Sequence, residues 1–191
     1  MKSYTSSMAL LALFLTFCAS AQDSFSTTEN KFLHMDFEKS IITNTENSEN
    51  HKTLLAAMKA ADLEEILSFD GPFTVFAPSD SAFEKLFPAG TSALLHPENK
   101  EELKAILRYH IIAGEFTASK ILLAMCRGEG KAVFTTVQGA KITATMSGTD
   151  IVLTDGLGNS AKIIAADAGQ CNGVIHEIDS VILPKKISLL P

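Results

Sequence analysis

The hydrophobic pattern of this chain changes its period once, close to Gly130, and this change limits the fold more than any other feature. Before Gly130, apolar residues recur every three to four positions, as on one face of an α-helix; one such set is Leu54, Leu55, Met58, Leu63, Ile66 and Leu67. After Gly130, apolar and polar residues alternate in short runs between glycine-containing turns, as in half-buried strands. This segregation predicts an α+β fold rather than a parallel α/β sheet.

Turn residues place the predicted strands along the chain. Five strands are expected in the second half, at residues 132–137, 141–146, 150–154, 160–166 and 174–183. An earlier strand is expected at 73–77, where β-branched and aromatic residues follow an Asp-Gly-Pro break.

Capping residues mark the predicted helix starts, which are Asn50, the Ser79-Asp80-Ser81 cluster, Pro97 and Thr117. Ser81 and Glu84 have the spacing of a capping box. Asp80 is expected to accept backbone N–H bonds at the positive end of a helix.

The first 21 residues have the pattern of a secretory signal peptide. Lys2 precedes the apolar run MALLALFLTF (8–17), and the small residues Ala19-Ser20-Ala21 follow it. We predict cleavage after Ala21 and a secreted, periplasmic or cell-surface protein; a buried N-terminal helix is the alternative. Residues 22–40 are polar and predict a flexible arm, 41–184 form the folded domain, and 185–191 form a C-terminal tail.

Charge and missing motifs exclude several function classes. The chain has 16 Lys+Arg against 22 Asp+Glu, a net charge of -6, which opposes nucleic-acid binding. No apolar run reaches the ~20 residues of a membrane-spanning helix. The sequence contains no P-loop, dinucleotide glycine fingerprint, H-E-x-x-H, C-x-x-C or G-x-S-x-G motif. None of the five histidines forms a close ligand pair, so we expect no metal site and no cofactor.

The cysteines Cys126 and Cys171 remain after the predicted cleavage. An exported compartment permits disulfides, and both residues lie beside glycine-containing loop sequence, so we expect a bridge between them. Their spacing alone leaves two buried free thiols as the alternative.

Three segments occur in an order that is typical of one family. They are GPFTVFAPSDSAF (71–83, the first signature segment), LRYH (107–110, the Tyr-His motif) and NGVIHEIDSVILP (172–184, the second signature segment). The stretch FTTVQG (134–139) is similar to a hairpin of bacterial members. Over roughly residues 41–184, the chain resembles the fasciclin-like domain family, as a single-domain, secreted bacterial member.

The resemblance implies an α+β fold with a β-sandwich or wedge edged by short helices. It also implies cell adhesion or matrix binding without catalysis, with an extracellular or cell-envelope protein or polysaccharide as partner. Because only one copy of the domain is present, multivalent adhesion would need weak self-association.

The resemblance makes Tyr109 and His110 candidate contact residues. Burial tendencies favour an interior pair instead, with polar tips bonded to nearby backbone. The other signature residues, Thr74, Asp80, Asn172, Gly173 and His176, are expected to serve the fold. Asn172 and Gly173 supply a turn before a closing strand.

Two other functions are open on the sequence. Leucine- and isoleucine-rich helices and six methionines would suit a carrier of a small apolar ligand or lipid. Ser79, Asp80 and His176 could be selected as a hydrolase triad, but capping already explains Ser79 and Asp80.

Overall fold

The computed structural model of the chain describes residues 38–184, so the predicted signal peptide, most of the predicted arm and the tail lie outside the described residues. The helices are α1 Ile41–Glu46, α2 Lys52–Ala60, α3 Glu64–Phe69, α4 Asp80–Leu86, α5 Lys100–Tyr109 and α6 Ala118–Arg127. The strands are β1 Phe73–Pro78, β2 Ile111–Ala113, β3 Lys131–Thr135, β4 Lys141–Ser147, β5 Asp150–Thr154, β6 Ser160–Gln170 and β7 Gly173–Ile178. A short 3-10 helix, Pro97–Asn99, precedes α5. The predicted α+β class is confirmed.

The seven strands form one mixed sheet in the order β2-β1-β7-β6-β5-β4-β3. Only β1 and β7 pair in parallel, and every other neighbouring pair is antiparallel. The two edges of the sheet approach each other, because Ile112 of β2 bridges to Thr136 just after β3. The N–H of Val137 donates to the carbonyl of Ile111 at 2.8 Å across the same junction. The sheet therefore bends until its first and last strands meet.

The main departures from the predicted elements have local causes. The helical pattern that starts after Asn50 is divided into α2 and α3, because Asp62 adopts a positive φ of 54° between them. Strand β2 was not predicted, since three residues are too short to show a period. Helix α1 was not predicted either, since six residues are too few to show a helical period; the Ser40 hydroxyl caps it by accepting the Thr43 N–H.

Two apolar clusters fill the fold, one on each side of the central strands. The first contains Leu54, Met58, Phe83, Leu103, Leu107, Val75 and Ile175, mostly from the first five helices. The second contains Phe76, Ile121, Met125, Ile142, Leu153 and Ile178, with α6 packed against β3 and β4. Successive residues of β1, Val75 and Phe76, serve different clusters, so β1 is buried on both faces.

The predicted disulfide between Cys126 and Cys171 is absent, and both residues are exposed free thiols. Cys126 lies near the C-terminal end of α6, which packs against β3 and β4. Cys171 lies in the turn between β6 and β7, where its N–H donates to the carbonyl of Lys39 at 3.1 Å. Strand β5 separates these two regions of the sheet, so the prediction of a bridge was wrong.

The two signature segments meet along β1 and β7. Their register pairs Phe73 with Gly173 and continues to Pro78 with Ile178. Gly173 has a φ of 150°, and a Cβ added there would lie 1.9 Å from the carbonyl oxygen of Phe73. Glycine is required at this position because the backbone of β1 occupies the space that any side chain would need.

Replacing Gly173 with alanine tests this close approach. Because backbone atoms rather than a mobile side chain block the new Cβ, Gly173→Ala is expected to lower the free energy of unfolding by about 2–4 kcal/mol. Gly139→Ala is the matched control, since φ there is 89° but no atom lies within 4 Å of an added Cβ. The control should lose only about 1–2 kcal/mol. Equal losses in urea denaturation of the two variants would contradict the steric argument.

Candidate functional site

The end of helix α5 places both residues of the Tyr-His motif inside the protein. The Tyr109 side chain is 0% exposed, and that of His110 is 2% exposed. The Tyr109 hydroxyl donates to the carbonyl of Lys141 at 2.8 Å and accepts the N–H of Gly156 at 3.3 Å. Tyr109 therefore connects α5 to β4 and to the turn after β5. The pair lies in the interior, and its direct contact with a partner stays a prediction.

His110 has a defined tautomer because its two ring nitrogens face different backbone groups. Nδ1–H donates to the carbonyl of Ile106 at 2.8 Å, and Nε2 accepts the N–H of Ile182 at 3.2 Å. The ring is thus neutral, with its proton on Nδ1. Burial lowers the pKa of His110 to about 4, partly opposed by the bond to Ile106 and the nearby Asp155 carboxylate.

Asp155 is a second buried centre beside His110, and sequence reasoning missed this role. Its Oδ1 accepts the N–H groups of Leu157 and Asn159, at 2.8 and 2.9 Å. Its Oδ2 accepts the N–H of Leu183 at 3.0 Å and a side-chain N–H of Asn159 at 2.9 Å. The Asp-Gly turn signal at 155–156 predicted a turn but not the contact with residue 183. His110 and Asp155 together hold two consecutive N–H groups of the segment after β7.

Thr74 and His176 hold the loop between β2 and α6. The Thr74 hydroxyl donates to the carbonyl of Gly114 at 2.7 Å and accepts the N–H of Phe116 at 2.8 Å. His176 Nε2–H donates to the carbonyl of Phe116 at 2.7 Å, and its Nδ1 accepts the N–H of Asp167 at 3.2 Å. Burial lowers the pKa of His176, opposed by the bond to Phe116 and by the Asp167 carboxylate.

Asn172 connects three segments at the other end of β7. Its Oδ1 accepts the N–H of Ile41 at 3.0 Å, at the start of α1. Its Nδ2 donates to the carbonyls of Leu67 and Asp70, at 2.7 and 3.1 Å. One amide side chain thus satisfies backbone groups at the start of α1 and at the end of α3.

Asp80 and Ser79 cap two different helices. The Ser79 hydroxyl accepts the N–H of Ala82 at 3.3 Å and caps α4, so the predicted capping box from Ser81 was wrong by two residues. Asp80 instead reaches across to α2, where its carboxylate oxygens accept the N–H groups of Thr53 and Lys52 at 2.8 and 3.3 Å. Asp80 was expected to bond to the positive end of a helix, and it does so. The helix that it caps is α2, whereas the helix that it begins is α4.

The residues that the sequence offered as a hydrolase triad or as metal ligands can now be placed in the structure. Ser79, Asp80 and His176 are bonded to three separate sets of backbone groups, and the structure does not bring them together as a triad. Among residues 38–184, no group of three His, Cys, Asp or Glu could hold a metal ion. No helix in the same range is long and apolar enough to cross a bilayer.

Comparisons with known proteins agree with the geometry. The family model of the Fasciclin domain matches residues 49–184. The chain is 42% identical to Protein sll1483 of Synechocystis sp. over 151 residues, which are 78% of this chain and 76% of that protein. It is 35% identical to human periostin over 130 residues, 68% of this chain but 14% of periostin. It is 33% identical to the cell surface glycolipoprotein MPB83 of Mycobacterium bovis over 114 residues, 60% of this chain and 44% of MPB83.

A solved structure shares the fold at lower sequence similarity. It is a FAS1 domain pair from the insect cell adhesion molecule fasciclin I, with a TM-score of 0.66 and 20% identity, covering 76% of this chain and 51% of the other. The mixed seven-stranded sheet with short helices is therefore a FAS1-type fold, as the sequence predicted. The chain belongs to the fasciclin domain family.

Removing the Asp80 carboxylate tests the capping of α2 by a residue of α4. Asp80→Ala leaves two N–H groups at the start of α2 without acceptors, so the free energy of unfolding should fall by about 1–2 kcal/mol. Asp80→Asn keeps one acceptor oxygen and should lose less. Thermal unfolding followed by circular dichroism measures both variants. A larger loss for asparagine than for alanine would contradict this role.

The neutral His110 predicts a stability that falls on acidification. Because the pKa of His110 is about 4 in the fold and about 6.5 in the unfolded chain, the unfolded chain binds more protons between these values. The contribution is full above pH 6.5 and is lost as the pH falls towards 4, by about 3 kcal/mol. Burial lowers the pKa values of His51 and His176 too, so their losses add to it.

Urea denaturation at a series of pH values measures this loss. The glutamine in His110→Gln supplies a hydrogen-bond donor and an acceptor but does not titrate. The slope of the free energy of unfolding against pH should therefore fall by up to about 1.4 kcal/mol per pH unit. His96→Gln, at an exposed imidazole, is the control for removing a histidine. An unchanged slope in His110→Gln would contradict the assignment.

Proposed function

We propose that this chain is an adhesion-type module that acts outside the cell and binds an extracellular or cell-envelope protein or polysaccharide without catalysing a reaction. Membership of the fasciclin domain family supports the proposal. Among the similar proteins, fasciclin I is an insect cell adhesion molecule and MPB83 is a cell surface glycolipoprotein. The secretory pattern in residues 1–21 supports the same location.

The proposal rests on the hydrogen-bond partners of the polar residues in the signature segments. Thr74, Asp80, His110, Asn172 and His176 each bond to main-chain groups of a segment distant in sequence. Because each of these groups already holds the fold together, its hydrogen bonds support a structural role over that of a nucleophile or general base. The signature therefore builds a rigid framework, and recognition of a partner falls to the surfaces that the framework displays.

Within this proposal, Tyr109 and His110 support binding indirectly. Both side chains are buried. They hold the turn at Gly156 and the stretch at Ile182, which are both distant from α5 in sequence. Loss of the pair would release these segments before it altered a contact with the partner. The pair thus acts as positioning residues for the display surface.

Capture from the native cell envelope tests the proposal with the whole chain. The purified protein, immobilised through a tag, should retain one protein or polysaccharide reproducibly, and the isolated partner should bind the free chain in solution. The heat-unfolded chain is the matched control, since recognition by a folded surface should be lost. Failure to retain any partner, or turnover of substrates in a broad esterase and glycosidase panel, would contradict the proposal.

His110→Gln and His110→Ala separate the two roles of the Tyr-His motif. If the motif only positions other segments, partner binding by His110→Gln should stay within about twofold of the original chain, while His110→Ala should lose stability first. Affinity is measured at a temperature at which each variant is folded. Lost binding in a fully folded His110→Gln variant would instead assign His110 to direct contact.

A further inference from the structure

Within residues 38–184, no helix packs on one face of strands β3 to β6. Burial alternates along β3, β4 and β5, and the inward side chains belong to the second apolar cluster, on which α6 packs. The outward side chains form what we call the outer face: Lys131, Val133, Thr135, Lys141, Thr143, Thr145, Ser147, Asp150, Val152, Thr154, Ser160, Lys162 and Ile164. These residues are exposed or half-buried, and Val133 is 56% exposed.

The pairing register orders the outer face into rows across the sheet. One row runs Lys131, Thr145, Val152, Lys162, and the next runs Val133, Thr143, Thr154, Ser160. A third, shorter row pairs Thr135 with Lys141. Because neighbouring strands lie about 4.8 Å apart, the lysines that end the first row are roughly 14 Å apart. The centre between the lysines consists of threonine and valine.

The charge of the outer face is opposite to that of the protein. The chain carries a net charge of -6, whereas the strand residues of the outer face within the described range include three lysines and one carboxylate, Asp150. A second carboxylate, Asp179, lies beside Lys162 and accepts its backbone N–H at 2.8 Å. Asp150 is engaged with Lys162, at 2.8 Å between Oδ2 and Nζ. Lys131 and Lys141 form no ion pair with another described residue, so two cationic groups stay available to a ligand.

The uncharged centre of the face offers hydroxyl groups on a stiff support. Threonine has few rotamers in a strand, so the hydroxyls of Thr143, Thr145 and Thr154 are held in a fixed array. A hydroxyl both donates and accepts, which matches the hydroxyls of a sugar, and the exposed Val133 offers apolar area to the C–H groups of a ring. The array is ordered before binding, which reduces the entropic cost of binding.

Other occupants fit the outer face less well. Protein interfaces are enriched in aromatic residues and arginine and depleted in lysine, and this face has lysine without either. Binding to an anionic membrane typically uses clusters of four to eight basic residues or inserted apolar side chains. A second copy packed face to face would bring lysines against lysines.

We propose that the outer face binds an acidic polysaccharide, with Lys131 and Lys141 contacting its carboxylate groups and the threonine rows contacting its sugar hydroxyls. This inference rests on the proposed function, of which it names the surface and the class of partner. Contacts between exposed charges are screened by salt, so binding should weaken as the ionic strength rises.

Titration of the purified chain with polygalacturonate tests the inference, with dextran as the neutral polymer and polyglutamate as an acidic polymer without sugar rings. Binding is measured by calorimetry at low salt and at about 0.15 M NaCl. We expect binding to polygalacturonate at low salt, none to dextran and weaker binding to polyglutamate. Equal binding to polyglutamate, or stronger binding to phosphatidylserine vesicles than to polygalacturonate, would overturn the inference.

Paired variants locate the binding surface. Lys131→Gln with Lys141→Gln should weaken binding by about tenfold or more. Lys52→Gln with Lys120→Gln makes the same change of charge at exposed positions on α2 and α6, and should stay within about twofold. Equal losses in both double variants would show a general charge effect and overturn the assignment to this face.

A third variant separates the hydroxyls from the lysines. Thr143→Val with Thr154→Val keeps the branched shape and removes two hydroxyls, so binding should weaken by roughly threefold or more. Unchanged affinity would overturn the role of the threonine rows.

Deletion of residues 22–37 tests whether the chain's own arm occupies the outer face. If the outer face is free of the arm, the deletion should leave the affinity for polygalacturonate unchanged. A large gain in affinity would show that the arm occupies the outer face and would overturn the inference. If envelope capture yields a protein partner and polygalacturonate does not bind, this inference fails while the proposed function stands.

Discussion

The parallel pairing of β1 with β7 joins parts of the chain that lie about a hundred residues apart, and the rest of the fold depends on it. Phe73 and Gly173 face each other in this pair, and the carbonyl of Asn172 accepts the N–H of Phe73 at 3.0 Å. Closing so long a loop has an entropic cost, which burial of both faces of the two strands offsets. Because the strands are central, they also set the positions of the first five helices on one side and of α6 with β3–β6 on the other.

Polar side chains at the ends of these strands connect them to the surrounding segments. A buried polar group is costly unless it is bonded, and Thr74, His110, Asn172 and His176 are bonded to main-chain atoms. Asn172 does this for α1 and α3, Thr74 and His176 for the loop before α6, and His110 for the segment after β7. The most recognisable residues of the sequence are consequently those least accessible to a partner.

The sheet then has two sides with different roles. The inward residues of β3, β4 and β5 are alanine, isoleucine, leucine and phenylalanine and pack under α6, while the outward residues are mostly threonine, valine and lysine. An apolar core beneath this polar surface keeps the surface rigid without any ligand.

The sequence by itself determined the α+β class, the later strands and the family, because alternation and capping are local signals that need no knowledge of distant neighbours. It also placed Thr74, Asp80, Asn172, Gly173 and His176 among the residues that serve the fold. Only the tertiary structure decided which groups those residues bind: Asp80 caps α2 rather than its own helix, and Asp155 holds residue 183. It likewise decided that Cys126, on α6, and Cys171, in the turn between β6 and β7, lie beside separate regions of the sheet. Hydrogen bonds and disulfides between distant segments depend on the packing of whole elements, and the spacing of residues along one segment carries no information about that packing.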